Sequence, residues 1–185
     1  MPTYPPFKQC VPSTKNTSLA RGLSLFAGAG GLLLATTLPA AADVIVRFIE
    51  SAPKDRFIIE QAGACESGPL DVVIDLAPAG LIFDTTATGA GVEVFQPFEV
   101  AEGGDALEEA VAPTDGDQAV TLRLASLTDG SRFAFTVDVD DTNEASALGQ
   151  IRVAGSEIAG AVLSVNGSEA PFADDATARV ALACS

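Results

Sequence analysis

The feature that most constrains the fold is an alternation of large apolar residues with small or polar ones in short runs, clearest in Phe133, Phe135, Val137 and Val139, with Ala134, Thr136 and Asp138 between them. A period of two sends successive side chains to opposite faces, so such a run is a strand with one face buried. The same pattern sets Leu70, Val72 and Ile74 against Asp71 and Asp75, and Val120, Leu122 and Leu124 against Thr121 and Arg123. Further strands are expected at 44–49, 56–59, 80–83, 92–95, 151–153, 158–165 and 179–184. Turn-forming stretches separate them: Pro78-Ala79-Gly80, Asp115-Gly116-Asp117, Thr128-Asp129-Gly130 and Asn166-Gly167. Helical periodicity is suggested only at 105–111. Eight to ten short strands, each with one greasy face, call for a second sheet to cover the first, which predicts an all-β antiparallel β-sandwich; a barrel is the rival architecture.

Charge is distributed unevenly. The chain has ten Lys and Arg against 25 Asp and Glu, a net charge of −15, yet every acid lies at or beyond Asp43. Before it stand Lys8, Lys15 and Arg21, then an apolar stretch over 23–38, then Pro39-Ala40-Ala41-Ala42. A basic leader, an apolar core and a small-residue ending are the three parts of a secretory signal. Residues 1–42 are therefore read as a cleaved signal peptide and 43–185 as one β-sandwich domain, exported to the periplasm or the extracellular space. The apolar stretch, broken by Gly28, Gly30 and Gly31, is shorter than the roughly 20 residues a bilayer span needs, so no membrane insertion is expected after cleavage. A domain this acidic repels phosphate backbones, which argues against nucleic acid and leaves cations as natural partners.

Composition excludes several chemistries. The chain has no His and no Trp, and its single Tyr and single Met lie within the leader. Imidazole-assisted nucleophiles, histidine-bound zinc or copper and an indole or phenol sugar platform are all absent from the exported part. No catalytic residues are assigned and the protein is read as a non-enzyme. Gly89-Ala90-Gly91 lies between strands with no helix to follow and reads as a turn, not a phosphate loop. Cys65 and Cys184 remain after cleavage, and in an oxidising compartment they are expected to pair. That disulfide closes a loop of about 120 residues and is worth roughly 4 to 5 kcal/mol of chain entropy.

The acidic segments are the candidate chemistry. Asp138 and Asp140 are two apart and share a strand face, while Asp141, Asn143 and Glu144 turn the corner that follows. A strand leaving into a loop can converge the oxygens that calcium requires, and Asp115 and Asp117 are possible contributors from a second turn. The competing reading is a solvated acidic turn that keeps the sheet soluble.

The runs VIVRFIESAPKDRFIIEQAGAC, GPLDVVIDLAPAGLIFDTTATGAGVEVFQPFEV, DGDQAVTLRL, FAFTVDVDDT and GSEIAGA span nearly all of residues 44–165. Together they resemble small secreted bacterial proteins labelled aggregation-factor core proteins, after the extracellular core of sponge aggregation factors. The resemblance implies a secreted β-rich protein of cell-surface association or adhesion, calcium-assisted, whose partner is an extracellular macromolecule or cell surface. It implies no catalytic residues. This chain lacks tandem repeats, so multivalent adhesion does not follow from the resemblance. The alternative is a periplasmic carrier or sensor of a small apolar ligand, drawn only from the Phe content of the domain.

Overall fold

The computed structural model describes residues 41–63, 65–91, 94–142, 149–150 and 152–183. Among these the chain forms eleven strands: β1 (Ala41–Ile49), β2 (Asp55–Gly63), β3 (Leu70–Asp75), β4 (Leu81–Asp84), β5 (Glu99–Glu102), β6 (Leu107–Val111), β7 (Ala119–Leu124), β8 (Arg132–Asp141), β9 (Val162–Val165), β10 (Ser168–Pro171) and β11 (Thr177–Ala183). The helical content is two single-turn 3₁₀ segments, Ala77–Ala79 and Gly104–Ala106. No helix is long and apolar enough to cross a membrane among the described residues.

The strands form two antiparallel sheets. One runs β11-β1-β2-β8-β4, with β5 also pairing β8; the other runs β10-β9-β3-β7-β6. Alternation decides what each strand contributes to the space between them. Phe133, Phe135, Val137 and Val139 of β8 are fully buried, as are Val44 and Val46 of β1, Phe57 and Ile59 of β2, and Leu81 and Phe83 of β4. Val72, Ile74, Leu122, Leu124, Leu163 and Val165 come from the other sheet and join the same hydrophobic cluster. The phenyl rings fill its middle, with Phe57 stacked on Phe135 at 5.0 Å between centroids and tilted against Phe48 at 5.1 Å. Burying large side chains in this way contributes about 1.5–3 kcal/mol each and drives the two layers together.

Several local expectations change. Residues 105–111 hold a 3₁₀ turn followed by strand β6, not a helix. Val94 and Phe95 lie outside any strand, as do Arg152 and Val153, while residues 158–160 are turn and the strand begins only at Val162. The Asn166-Gly167 hairpin joins β9 to β10 with φ of 49° and 81°, the left-handed pair that a two-residue turn of this kind demands. Ala41 and Ala42 belong to β1, with Ala42 paired to Leu182 on one side and Gly63 on the other, so the expected cleavage point after Ala42 falls inside a strand.

The long strand β8 positions the site. Its first half pairs with β2, from Glu60↔Arg132 to Asp55↔Val137, and its final residues pair with β4, from Asp84↔Asp138 to Leu81↔Asp141. The chain leaves β4 at Asp84, makes an excursion, and returns to β8 where the Gln96 amide donates to the Asp84 carbonyl and the Asp138 amide to the Gln96 carbonyl.

Candidate metal centre

Even-numbered residues of β8 and β4 turn away from the core, and register brings four of them together: Ile82 opposite Asp140 and Asp84 opposite Asp138. Instead of meeting solvent they lie beneath residues of the excursion. Asp84 is 0% exposed, Asp140 2% and Asp138 5%. One oxygen from each of these three carboxylates lies within 4.8 Å of the others. Oxygens on opposite sides of a calcium ion stand about 4.6–5.2 Å apart at its ordinary bond lengths, so the spacing suits a hard cation seated among them.

The electrostatics are one-sided. Burial pushes Asp84 up to about 7, helped by the neighbouring Asp115 and Asp140 carboxylates. Asp138 is also raised to about 7, by burial first and then by Asp140, Asp55 and Asp84. Each charge acting on these two is another carboxylate. Two ionised carboxylates 4.8 Å apart repel by roughly 3–4 kcal/mol in a partly screened protein environment. Neither oxygen of Asp84, nor Oδ2 of Asp138, receives an N–H or hydroxyl donor among the described residues, and the groups within hydrogen-bonding reach of Asp84 are the Asp115 and Asp140 carboxylates. Buried charges ordinarily pair or coordinate a metal.

Asp55 and Asp115 flank the triad with different work. Asp55, buried at the start of β2, accepts the Ser51 amide at 3.2 Å and the Val139 amide at 3.2 Å, tying β2 to the far half of β8. Burial outweighs those bonds, and with Glu50 and Asp140 nearby it is raised to about 7. Asp115 stands on the turn between β6 and β7, which is itself stitched to β4 by the Gly116 amide on the Phe83 carbonyl and the Phe83 amide on the Asp117 carbonyl. Its carboxylate accepts the amides of Thr85 at 3.0 Å, Thr86 at 3.2 Å and Ala90 at 2.6 Å. These donors hold it below the usual carboxylate range, the Ala90 amide most strongly.

Two glycines let the chain approach. A methyl group at Gly91 would overlap the Asp84 carboxylate, and one at Gly89 would overlap the Asp115 carboxylate. Side chains at these positions are excluded by the acids, not by turn geometry.

The expected ligand set is thus redrawn. Asp138 and Asp140 come together as the strand spacing requires. Asp141 is buried and lines a cavity of about 230 Å³ beside Asp140, together with Ile82, Ala90, Gly91, Thr142 and Gln150, but it is not one of the three converging carboxylates. Asn143 and Glu144 lie outside the described residues. Asp117 is exposed and accepts both the amide and the hydroxyl of Thr114 at 2.7 Å, which makes it a turn cap and not a triad member. Asp115 touches Asp84 without joining the triad. Asp84, the deepest member, is hard to read from sequence because a single acid ending Leu81-Ile82-Phe83 looks like a strand terminus; its signal is the glycine pair that follows. Cys65 is half-buried just beyond β2, and Cys184 lies outside the described residues. Comparison with family models, with curated proteins and with solved structures finds no match to this chain.

Proposed function

We propose that this protein is an exported, non-catalytic β-sandwich that acts through its surface and is held in its working form by a divalent cation, calcium foremost, on Asp84, Asp138 and Asp140. The observation that carries the reading is Asp84, a fully buried carboxylate that receives no N–H or hydroxyl donor among the described residues and faces two further buried acids. An all-carboxylate donor set selects a hard cation over the softer metals that imidazole and thiolate attract. Three carboxylates supply at most six oxygens, so the larger, more flexible shell of calcium is completed by carbonyls or water.

The surface role draws on the resemblance to aggregation-factor core proteins and on the acid excess. Copies of so acidic a protein repel one another, and a divalent ion offsets that repulsion where two surfaces meet. The Cys65–Cys184 bridge belongs to the same proposal. Register supports it: β2 and β11 flank β1, so Gly63 and Leu182 both pair with Ala42, and Cys65 lines one cavity with Leu182 and Ala183.

Calorimetric titration of chelator-stripped protein with calcium tests the site, with one equivalent bound in wild type and none in Asp84→Asn expected. Absence of binding in the wild type overturns the reading. Protein-coated beads that clump in calcium and disperse in chelator are the expected sign of the surface role; beads indifferent to calcium would overturn that part alone.

A further inference from the structure

We propose that residues 85–91 form a lid over the triad and that Asp115 is its latch, so that the cation enters and leaves only when the latch opens; this rests on the cation reading above. Asp84 is wholly buried, and Gly91 lies directly against its carboxylate, closing the triad from the lid side. The lid has few ties of its own. Residues 86–90 are exposed, and within the segment only the Thr86 hydroxyl to the Thr88 carbonyl, a long 3.4 Å bond, connects lid to lid.

Among the described residues, the lid's hydrogen bonds to the rest of the fold converge on one side chain from another part of the chain. The amides of Thr85 and Thr86 at the lid's root and of Ala90 near its tip all converge on the Asp115 carboxylate, with Gly89 packed against it. Asp115 is a firm post, because its turn is hydrogen-bonded to Phe83 in β4, the strand from which the lid departs. Beside the lid, the cavity lined by Ala90 and Gly91 reaches Asp140 and Asp141, giving an acidic approach that draws cations inward once the lid lifts. The three amide bonds of the latch involve no triad oxygen and restrain passage in both directions, while the contact of the Asp115 carboxylate with Asp84 adds negative charge beside the ion and so bears on affinity as well.

That argument separates a latch from a ligand. If Asp115 latches the lid, breaking the latch accelerates entry as well as release, even though the lost negative charge beside Asp84 weakens affinity; if Asp115 acts only as a ligand or through its charge, release alone accelerates. The experiment is stopped-flow release of calcium into a fluorescent chelator, paired with calorimetric affinity, for wild type, Asp115→Ala and the gentler Asp115→Asn, whose fold is checked by thermal melting. Asp115→Ala is expected to raise the entry rate constant roughly tenfold, the effect of losing about one charge-assisted hydrogen bond, and the release rate constant by more, with Asp115→Asn between it and wild type. A release rate that climbs while entry stays fixed, or two rates that do not move in either variant, would overturn the latch. Wild-type protein that binds no calcium at all would instead sink the cation reading beneath it.

Discussion

At the scale of single residues, Asp84 is the most informative side chain in the molecule, because above pH 7 its ionised carboxylate is buried against other acids with no donor or cation beside it among the described residues. Replacing it with Asn removes one charge from the carboxylate cluster at nearly constant volume and supplies an amide that donates to the acids beside it. Asp84→Asn is therefore expected to raise stability in chelator at pH 8 by about 1–3 kcal/mol and to abolish stabilisation by calcium, read as melting temperature with and without the ion. A variant that melts lower than wild type in chelator would show that Asp84 is already compensated. Gly91→Ala tests the same point sterically. Its methyl group collides with the Asp84 carboxylate, so calcium affinity is expected to fall by about tenfold or more for a displaced ligand, measured by titration. Two of the three carboxylates of this site are legible from sequence. Asp138 and Asp140 announce a shared face by their spacing, whereas Asp84 reaches them only through the pairing of β4 with β8, a long-range register that local pattern does not encode.

At the scale of elements, legibility follows the depth of burial. Strand β8 declares itself because its inward residues are large and apolar, and β3 and β7 do so for the same reason. Strands β5 and β10 do not, since Glu99–Glu102 is exposed throughout and Ser168–Pro171 nearly so; edge strands carry no greasy alternation to read. Strand β5 is placed by backbone pairing with β8, interrupted between Val100 and Glu102, and by its acids reaching Lys54 and Arg56 of the β2 side. Residues 105–111 look helical because register also shifts in β6, between Leu107 and Glu109, which breaks the period of two. The end of β5 depends on Gly103, whose φ of 68° is left-handed and whose missing side chain leaves room for the Arg132 carbonyl of β8. Gly103→Ala is expected to cost about 1–2 kcal/mol from backbone conformation, with more from the collision, and to appear as faster amide exchange in β5 while the centre of β8 stays protected. Uniform loss of protection across both strands would mean that β5 is not an independent edge.

At the scale of the whole molecule, the triad and Asp55 make stability a joint function of pH and calcium. Asp55, Asp84 and Asp138 ordinarily titrate near 3.8 and are raised to about 7 in the fold. Between those values the folded protein retains protons that the unfolded chain has released, so the free energy of unfolding falls as pH rises through the window and levels off above 7. In chelator the melting temperature is thus expected to be higher at pH 5 than at pH 8, opposite to proteins whose acids are held charged by salt bridges. Calcium reverses the trend because it binds the deprotonated triad. At one hundred times its dissociation constant a ligand selective for the folded state contributes about 2.7 kcal/mol, and that contribution fades as protons occupy the site at lower pH. General screening of a chain with net charge −15 would also stabilise the fold, but it responds to ionic strength regardless of which cation supplies it. Melting curves at pH 5 and pH 8, in sodium or calcium chloride at matched ionic strength, separate the two: a coordination site gives a calcium-specific gain at pH 8 that shrinks at pH 5 and is missing in Asp84→Asn, whereas equal gains from both salts would leave the triad no part in it.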